Sequence, residues 1–110
     1  MPEPELDVLI IGAGITGIGV ACQLERAMPG KSYAILESRD NLGGTWDLFR
    51  YPGIRSDVDM YTFGYSFNPW RDPVAIAGGE AIRNYLGETA AKFGVSDNIR
   101  YGVRVDSANW

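Results

Sequence analysis

Leu6-Asp7-Val8-Leu9-Ile10-Ile11 is a nearly unbroken apolar run rich in β-branched residues. Such a run reads as a strand covered on both faces, the kind found in parallel sheets. From Ile15 to Met28 there is no proline, and apolar residues recur on two helical faces. Ile18, Ala21 and Cys22 lie on one face, and Val20, Leu24 and Ala27 on the other. This pattern predicts a helix laid on a sheet and ended by Pro29-Gly30. Ser32-Tyr33-Ala34-Ile35-Leu36-Glu37 reads as a second buried strand. Residues 6–37 are thus expected to form a βαβ unit with a right-handed crossover.

Residues 38–78 carry no long period and are rich in Gly, Pro, Asp and aromatic residues. A connection of this length inside a small domain tends to be functional. Short helical turns are expected in it, for example near Asp57 to Phe63. Ile82, Tyr85, Leu86, Thr89, Ala90 and Phe93 then recur at helical spacing, with Gly94 placed where a C′ glycine belongs. Ile99-Arg100-Tyr101-Gly102-Val103-Arg104-Val105 alternates and predicts a third strand. The fold class is α/β: a Rossmann-like βαβ-αβ mononucleotide-binding half with a three-stranded parallel sheet of order 3-2-1 and a long functional loop. The divisions are a βαβ unit at 6–37, a long functional loop at 38–78 and a helix with the third strand at 79–105.

The 110 residues suffice for one small domain, and their net charge of −4 shows no basic patch of the kind nucleic acid requires. No apolar run approaches the roughly 20 residues that span a bilayer. Met1-Pro2-Glu3-Pro4-Glu5 is acidic, without the basic start of a signal peptide. The single cysteine, Cys22, fits a reducing cytosol, and its apolar helix suggests a buried side chain rather than a reactive thiol. With no histidine, a Ser-His-Asp triad, a His-ligated zinc or a His general base cannot come from this chain alone.

Between the first strand and the helix stands Gly12-Ala13-Gly14-Ile15-Thr16-Gly17. Gly12 permits the tight turn, Gly14 lets a pyrophosphate approach backbone, and Gly17 lets helix and strand pack closely. The first-turn N–H groups of the helix lack partners and point at the anion. Glu37 ends the second strand 20 residues after Gly17, where a carboxylate accepts the ribose hydroxyls of an adenosine and repels a 2′-phosphate. A glycine turn that only packs a helix on a strand is the bland alternative, and the strand–turn–helix–strand context argues against it. Thr16 touches a phosphate or is merely small.

The turn does not distinguish FAD from NAD. Asn41-Leu42-Gly43-Gly44-Thr45-Trp46 bears on that choice: adjacent glycines let backbone pass close to a ligand, and Trp46 is able to cover a flavin ring. Taken alone, Gly43-Gly44 is more often just an ordinary loop. Asp57 reads without further context as a loop carboxylate paired with Arg55. Tyr61, Phe63, Tyr65, Phe67 and Trp70 either shape a hydrophobic substrate pocket or pack beneath the loop, the second being favoured.

These motifs together resemble the N-terminal part of the class B flavin monooxygenases, specifically Baeyer–Villiger monooxygenases. The resemblance is carried by the glycine turn, Glu37, Gly43-Gly44-Thr45-Trp46, Arg50-Tyr51-Pro52-Gly53-Ile54-Arg55-Ser56-Asp57 and Tyr65-Ser66-Phe67. Gly44 to Asp57 is most similar to the ethionamide-activating FAD-containing subgroup. The resemblance implies that Gly12, Gly14, Thr16 and Gly17 meet the FAD pyrophosphate and Glu37 the adenosine ribose. It implies that Gly44, Thr45, Trp46, Asp47 and Leu48 line the flavin side, and that the backbone of Val105, at the end of the third strand, bonds the adenine. Asp57 would lie near the isoalloxazine and orient a catalytic arginine that this chain lacks. Arg55, Ser56 and Asp57 would face NADPH. The implied chemistry is NADPH- and O₂-dependent oxidation of a small hydrophobic ketone or a sulfur compound.

The second glycine-rich turn of such enzymes, for NADPH, is absent here, as is their Phe-x-Gly-x-x-x-His-x-x-x-Trp motif. The expectation is a piece of a longer protein: half of a flavin site, not catalytic by itself, with a free edge on the first strand that invites self-association. A non-catalytic nucleotide-binding module and half of an NAD-dependent dehydrogenase are the competing readings.

Overall fold

A computed structural model describes residues 5–109, so most of the acidic N-terminal stretch and Trp110 lie outside the described residues. Three parallel strands, β1 (Val8–Ile11), β2 (Tyr33–Glu37) and β3 (Ile99–Tyr101), form one sheet of order β1-β2-β3. Helices α1 (Ile15–Ala27) and α4 (Gly79–Lys92) pack with the sheet around one core, and two single-turn helices, α2 (Thr45–Leu48) and α3 (Met60–Phe63), interrupt the long connection. The α/β class, the parallel pairing and the strand order are those the hydrophobic pattern predicts.

The register Val8↔Tyr33 and Ile10↔Ile35 places alternate residues of β1 and β2 on the helix-covered face. Glu37 follows Ile35 by two positions and so faces the same way, under the turn that leads into α1. The opposite face is partly bare. Leu9 is 53% and Ile11 60% exposed, which corrects the expectation of a first strand covered on both sides. Ala34, beside Leu9 on that face, is covered, and Leu36 is half-buried. Likewise α1 buries only one stripe, Ile18, Ala21, Cys22 and Leu24, while Val20 and Ala27 stay exposed.

Cys22 lies wholly within this core. Burial pushes its thiol up to about 11, with Glu25 adding in the same direction. The thiol is therefore expected to ignore a disulfide reagent near neutral pH in the native chain and to react at once in urea. Equal reaction rates in both states would contradict its burial.

Helix α4 ends as predicted. Gly94 takes φ +74°, its N–H donates to the Ala91 carbonyl, and the Val95 N–H donates to that of Ala90 at 2.8 Å. This Schellman motif seals the helix, with Ala90 and Val95 both buried. The third strand is shorter than expected. Gly102 takes φ +70° and turns the chain out of the sheet, so the alternating stretch beyond it makes no ladder. The Val103 N–H still donates to the Glu37 carbonyl at 3.0 Å, next to the Gly102 N–H, which donates to that of Arg39 at 3.3 Å.

The long connection is ordered by its aromatic residues. Trp70 is buried, whereas Phe63, Tyr65 and Phe67 are half-buried against the core and Tyr61 is exposed. Tyr65 stacks on Phe67 and on Tyr85, and its hydroxyl donates to the Ile15 carbonyl at the start of α1. The Tyr85 hydroxyl accepts from the Tyr65 N–H at 2.8 Å and donates to the Asn68 carbonyl at 2.6 Å. Trp70 thus packs beneath the connection, the favoured expectation, whereas Phe63, Tyr65 and Phe67 rest on the core with one side and line a cavity of about 610 Å³ against α1 with the other. Asp59 caps α3 by accepting from the Thr62 N–H at 2.9 Å, which places the helical turn within the predicted region.

Candidate functional site

The glycine turn does two jobs at once. Gly12 holds φ +98°, a conformation that L side chains rarely adopt, and this sends the chain from strand into helix. Gly17 lies directly over that turn: a Cβ there would sit 1.9 Å from the Gly12 carbonyl oxygen. Helix α1 then begins at Gly14 with no side-chain cap and no acidic residue in its first turn. An uncapped helix N-terminus bordered by glycine is an anion site in the making.

A second glycine pair forms the facing wall. The Gly43 N–H donates to the Ala13 carbonyl at 2.9 Å. Gly44, at φ +55°, approaches so closely that a Cβ on it would lie 3.0 Å from the Gly14 Cα. Gly43-Gly44 is therefore not an ordinary loop but the counterpart of the turn. Between them opens a cleft of about 290 Å³ lined by Gly12, Gly14, Thr16, Gly17, Thr45 and Trp46. Trp46 meets Phe63 edge-on with centroids 6.3 Å apart.

Glu37 is only 6% exposed and holds the turn from below. One carboxylate oxygen accepts from the Ala13 N–H at 2.8 Å and the other from the Arg39 N–H at 2.9 Å. Ala13 is thus pinned at both its N–H and its carbonyl. Replacing Glu37 with alanine would leave the buried Ala13 donor without a partner, at a cost of about 1–3 kcal/mol. Urea denaturation of Glu37→Ala is expected to reveal that loss without ligand present; an unchanged midpoint would remove the clamp.

Asp47 does not face this cleft. It is 2% exposed and its carboxylate lies between Arg39, at 2.8 Å, and Arg50. Burial alone would raise the carboxyl, but the two guanidiniums outweigh it and hold the group below its ordinary range. Leu48 is exposed outside the cleft. Ser56, expected to face NADPH, is instead buried: its N–H donates to the Ala77 carbonyl and its Oγ accepts from the Ala77 N–H at 3.2 Å. The extended strip around Arg55 bridges Gly78 antiparallel, and that pairing turns Ser56 inward. Arg55 and Asp57 are both exposed and make no ion pair with each other among the described residues. Val105 is half-buried and lies beyond β3, not at its end.

Residues 10–74 match the family described as the NAD(P)-binding Rossmann-like domain. The chain belongs to that family. It is 59% identical over 104 residues to MymA and 56% identical over 105 residues to the FAD-containing monooxygenase EthA, both of Mycobacterium tuberculosis. The matches cover 94% and 96% of this chain but 21% and 22% of those proteins, so the chain spans about a fifth of their length. Among solved structures, OTEMO in complex with FAD and NADP superposes with a TM-score of 0.86 at 32% identity, over 99% of this chain and 21% of that one. A steroid monooxygenase bound to NADP gives 0.80 at 31% identity, over 88% and 19%.

Ala13, Arg39 and Tyr65 shape this Rossmann-like site without being individually legible as site residues, whereas Gly43 announced itself through its pairing with Gly44. No helix among the described residues is long and apolar enough to cross a membrane.

Proposed function

We propose that this chain is the FAD-binding portion of an NADPH- and O₂-dependent flavin monooxygenase. The whole protein would carry out Baeyer–Villiger oxidation of a small hydrophobic ketone or oxygenation at sulfur. The observation that carries this reading is the cleft with an uncapped helix N-terminus on one side and a second glycine pair on the other. A wall without Cβ atoms and an unpartnered helix end suit a pyrophosphate. The similarity to EthA over nearly the whole chain, and to OTEMO solved with FAD and NADP, directs the choice to FAD.

Bound FAD would supply hydride acceptance from NADPH and electron delivery to O₂. The chain's own residues hold it. Gly12, Gly14, Thr16 and Gly17 receive the pyrophosphate in the βαβ unit of residues 6–37. Glu37, already fixing the turn, directs its remaining lone pairs to the adenosine ribose. Gly44, Thr45, Trp46 and Leu48 in the loop of residues 38–78 border the flavin, with Asp47 fixing their turn from behind. Exposed Asp57 orients an arginine from elsewhere in the protein, Arg55 with the backbone of Ser56 meets NADPH, and Val105 within residues 79–105 contacts adenine. The free β1 edge and the bare Leu9 and Ile11 support self-association, and a buried free cysteine agrees with a cytoplasmic protein.

Titration of the chain with FAD, ADP and NAD, followed by flavin fluorescence and displacement, tests the reading. FAD is expected to bind more tightly than NAD, without NADPH-driven oxygen uptake by this chain alone. NAD binding as tight as FAD would favour half of a nicotinamide dehydrogenase instead.

A further inference from the structure

Arg83 stands on α4, outside the glycine turn, and no feature of the FAD reading assigns it a role. Its side chain is half-buried, and its Nη1 donates to the Trp46 carbonyl at 2.7 Å. That carbonyl belongs to the single turn of α2, whose last carbonyls have no partner of their own within so short a helix. The stem of Arg83 lies against the same segment: a Cβ on Gly43 would be 3.6 Å from Arg83 Cγ. At the root of α4, Gly79 makes room for both partners, since a Cβ there would lie 3.6 Å from Arg83 Nη1 and 3.9 Å from Trp46 Cε3. Residues 79 and 83 share one face of α4, so the helix presents a small residue and then an arginine to the back of the cleft wall.

We propose that Arg83 is a positioning residue that fixes the Gly43–Leu48 wall of the cleft from behind. The proposal rests on the FAD reading. It assigns Arg83 to the flavin half of the ligand rather than to the ADP half, which the glycine turn and Glu37 hold on the other side. A guanidinium suits this place because one N–H serves the carbonyl while the others face the polar cleft lined by Asp40, Asn41, Asp47, Arg50 and Tyr101. α2 closes its own bonds from the Leu48 and Phe49 N–H groups to the Gly44 and Thr45 carbonyls, and Arg83 serves the next carbonyl along, that of Trp46.

The test compares FAD and ADP affinity in Arg83→Met, which keeps the stem and removes the donors, and in Arg83→Lys, which keeps one charged donor. Arg83→Met is expected to weaken FAD about tenfold and ADP less than twofold, while Arg83→Lys recovers most of the FAD affinity. Hydrogen exchange read in the same ligand-free samples is expected to speed up at residues 43–49 in Arg83→Met and to stay unchanged at residues 8–37. Equal weakening of FAD and ADP would mean a general loss of fold and would overturn the proposal. So would unchanged exchange at residues 43–49. If the wild-type chain bound no FAD while exchange at 43–49 still depended on Arg83, the flavin reading would fall and the positioning role would stand.

Discussion

Gly17→Ala is expected to abolish flavin binding and to lower the unfolding midpoint of the chain by roughly 10–20 °C, following about 3 kcal/mol of lost stability in a domain of this size. The new Cβ would sit 1.9 Å from the Gly12 carbonyl oxygen and 3.1 Å from its carbon. Both are backbone atoms, so no side chain can rotate out of the way. Either α1 lifts from β1 or the turn opens, and each outcome displaces the first-turn N–H groups from the cleft. Ile10, whose Cγ2 lies 3.3 Å from the same point, blocks a retreat toward the sheet. Thermal unfolding and an FAD titration of the variant check the two effects together. A variant that melted like the wild type and bound FAD equally well would show that helix and strand are not packed this closely.

Asp47→Ala is expected to cost about 2 kcal/mol and to loosen the Gly43–Leu48 wall of the cleft. Removing one member of a buried ion pair costs about 3–5 kcal/mol when the orphaned charge stays buried. Here the side chains of Arg39 and Arg50 are 43% and 53% exposed, so water recovers part of the loss. The same carboxylate makes stability depend on pH. Its folded form ionises below the ordinary value of 3.8 because of the two guanidiniums. The stabilisation is therefore fully present above that value and is lost as pH falls through the lower folded one. Urea midpoints taken across the acid range are expected to fall more steeply in the wild type than in Asp47→Ala. Parallel curves would remove Asp47 from the acid response.

The two variants act on opposite walls of one cleft. Their walls meet where Gly14 touches Gly44 and where Gly43 bonds Ala13, so damage to either is expected to be felt by the other. The aromatic tie from Tyr65 to the start of α1 gives the connection a second fixed point, at the helix that the glycine turn begins.

The order of elements, the parallel pairing and the glycine turn with its acidic partner were all readable along the chain. These depend on period, on β-branched runs and on glycines at fixed offsets, all of which are local. Helix α4 and its Gly94 stop were legible for the same reason. Tertiary structure alone decided which carboxylate does what. Glu37 turned out to be a clamp on Ala13 because its position two residues after Ile35 points it under the turn. Asp47 turned away from the cleft because two arginines, eight residues before and three after, converge on it in space. Ser56 went inward because residues 54–56 pair with a strip some twenty residues later. The alternation of residues 99–105 suggested a long strand, but Gly102 bends the chain where no partner strand continues. Exposure was the other thing local pattern could not settle. The run Leu9-Ile10-Ile11 is uniformly apolar, yet only Ile10 meets helices, since coverage depends on how many elements the fold lays on each face of the sheet.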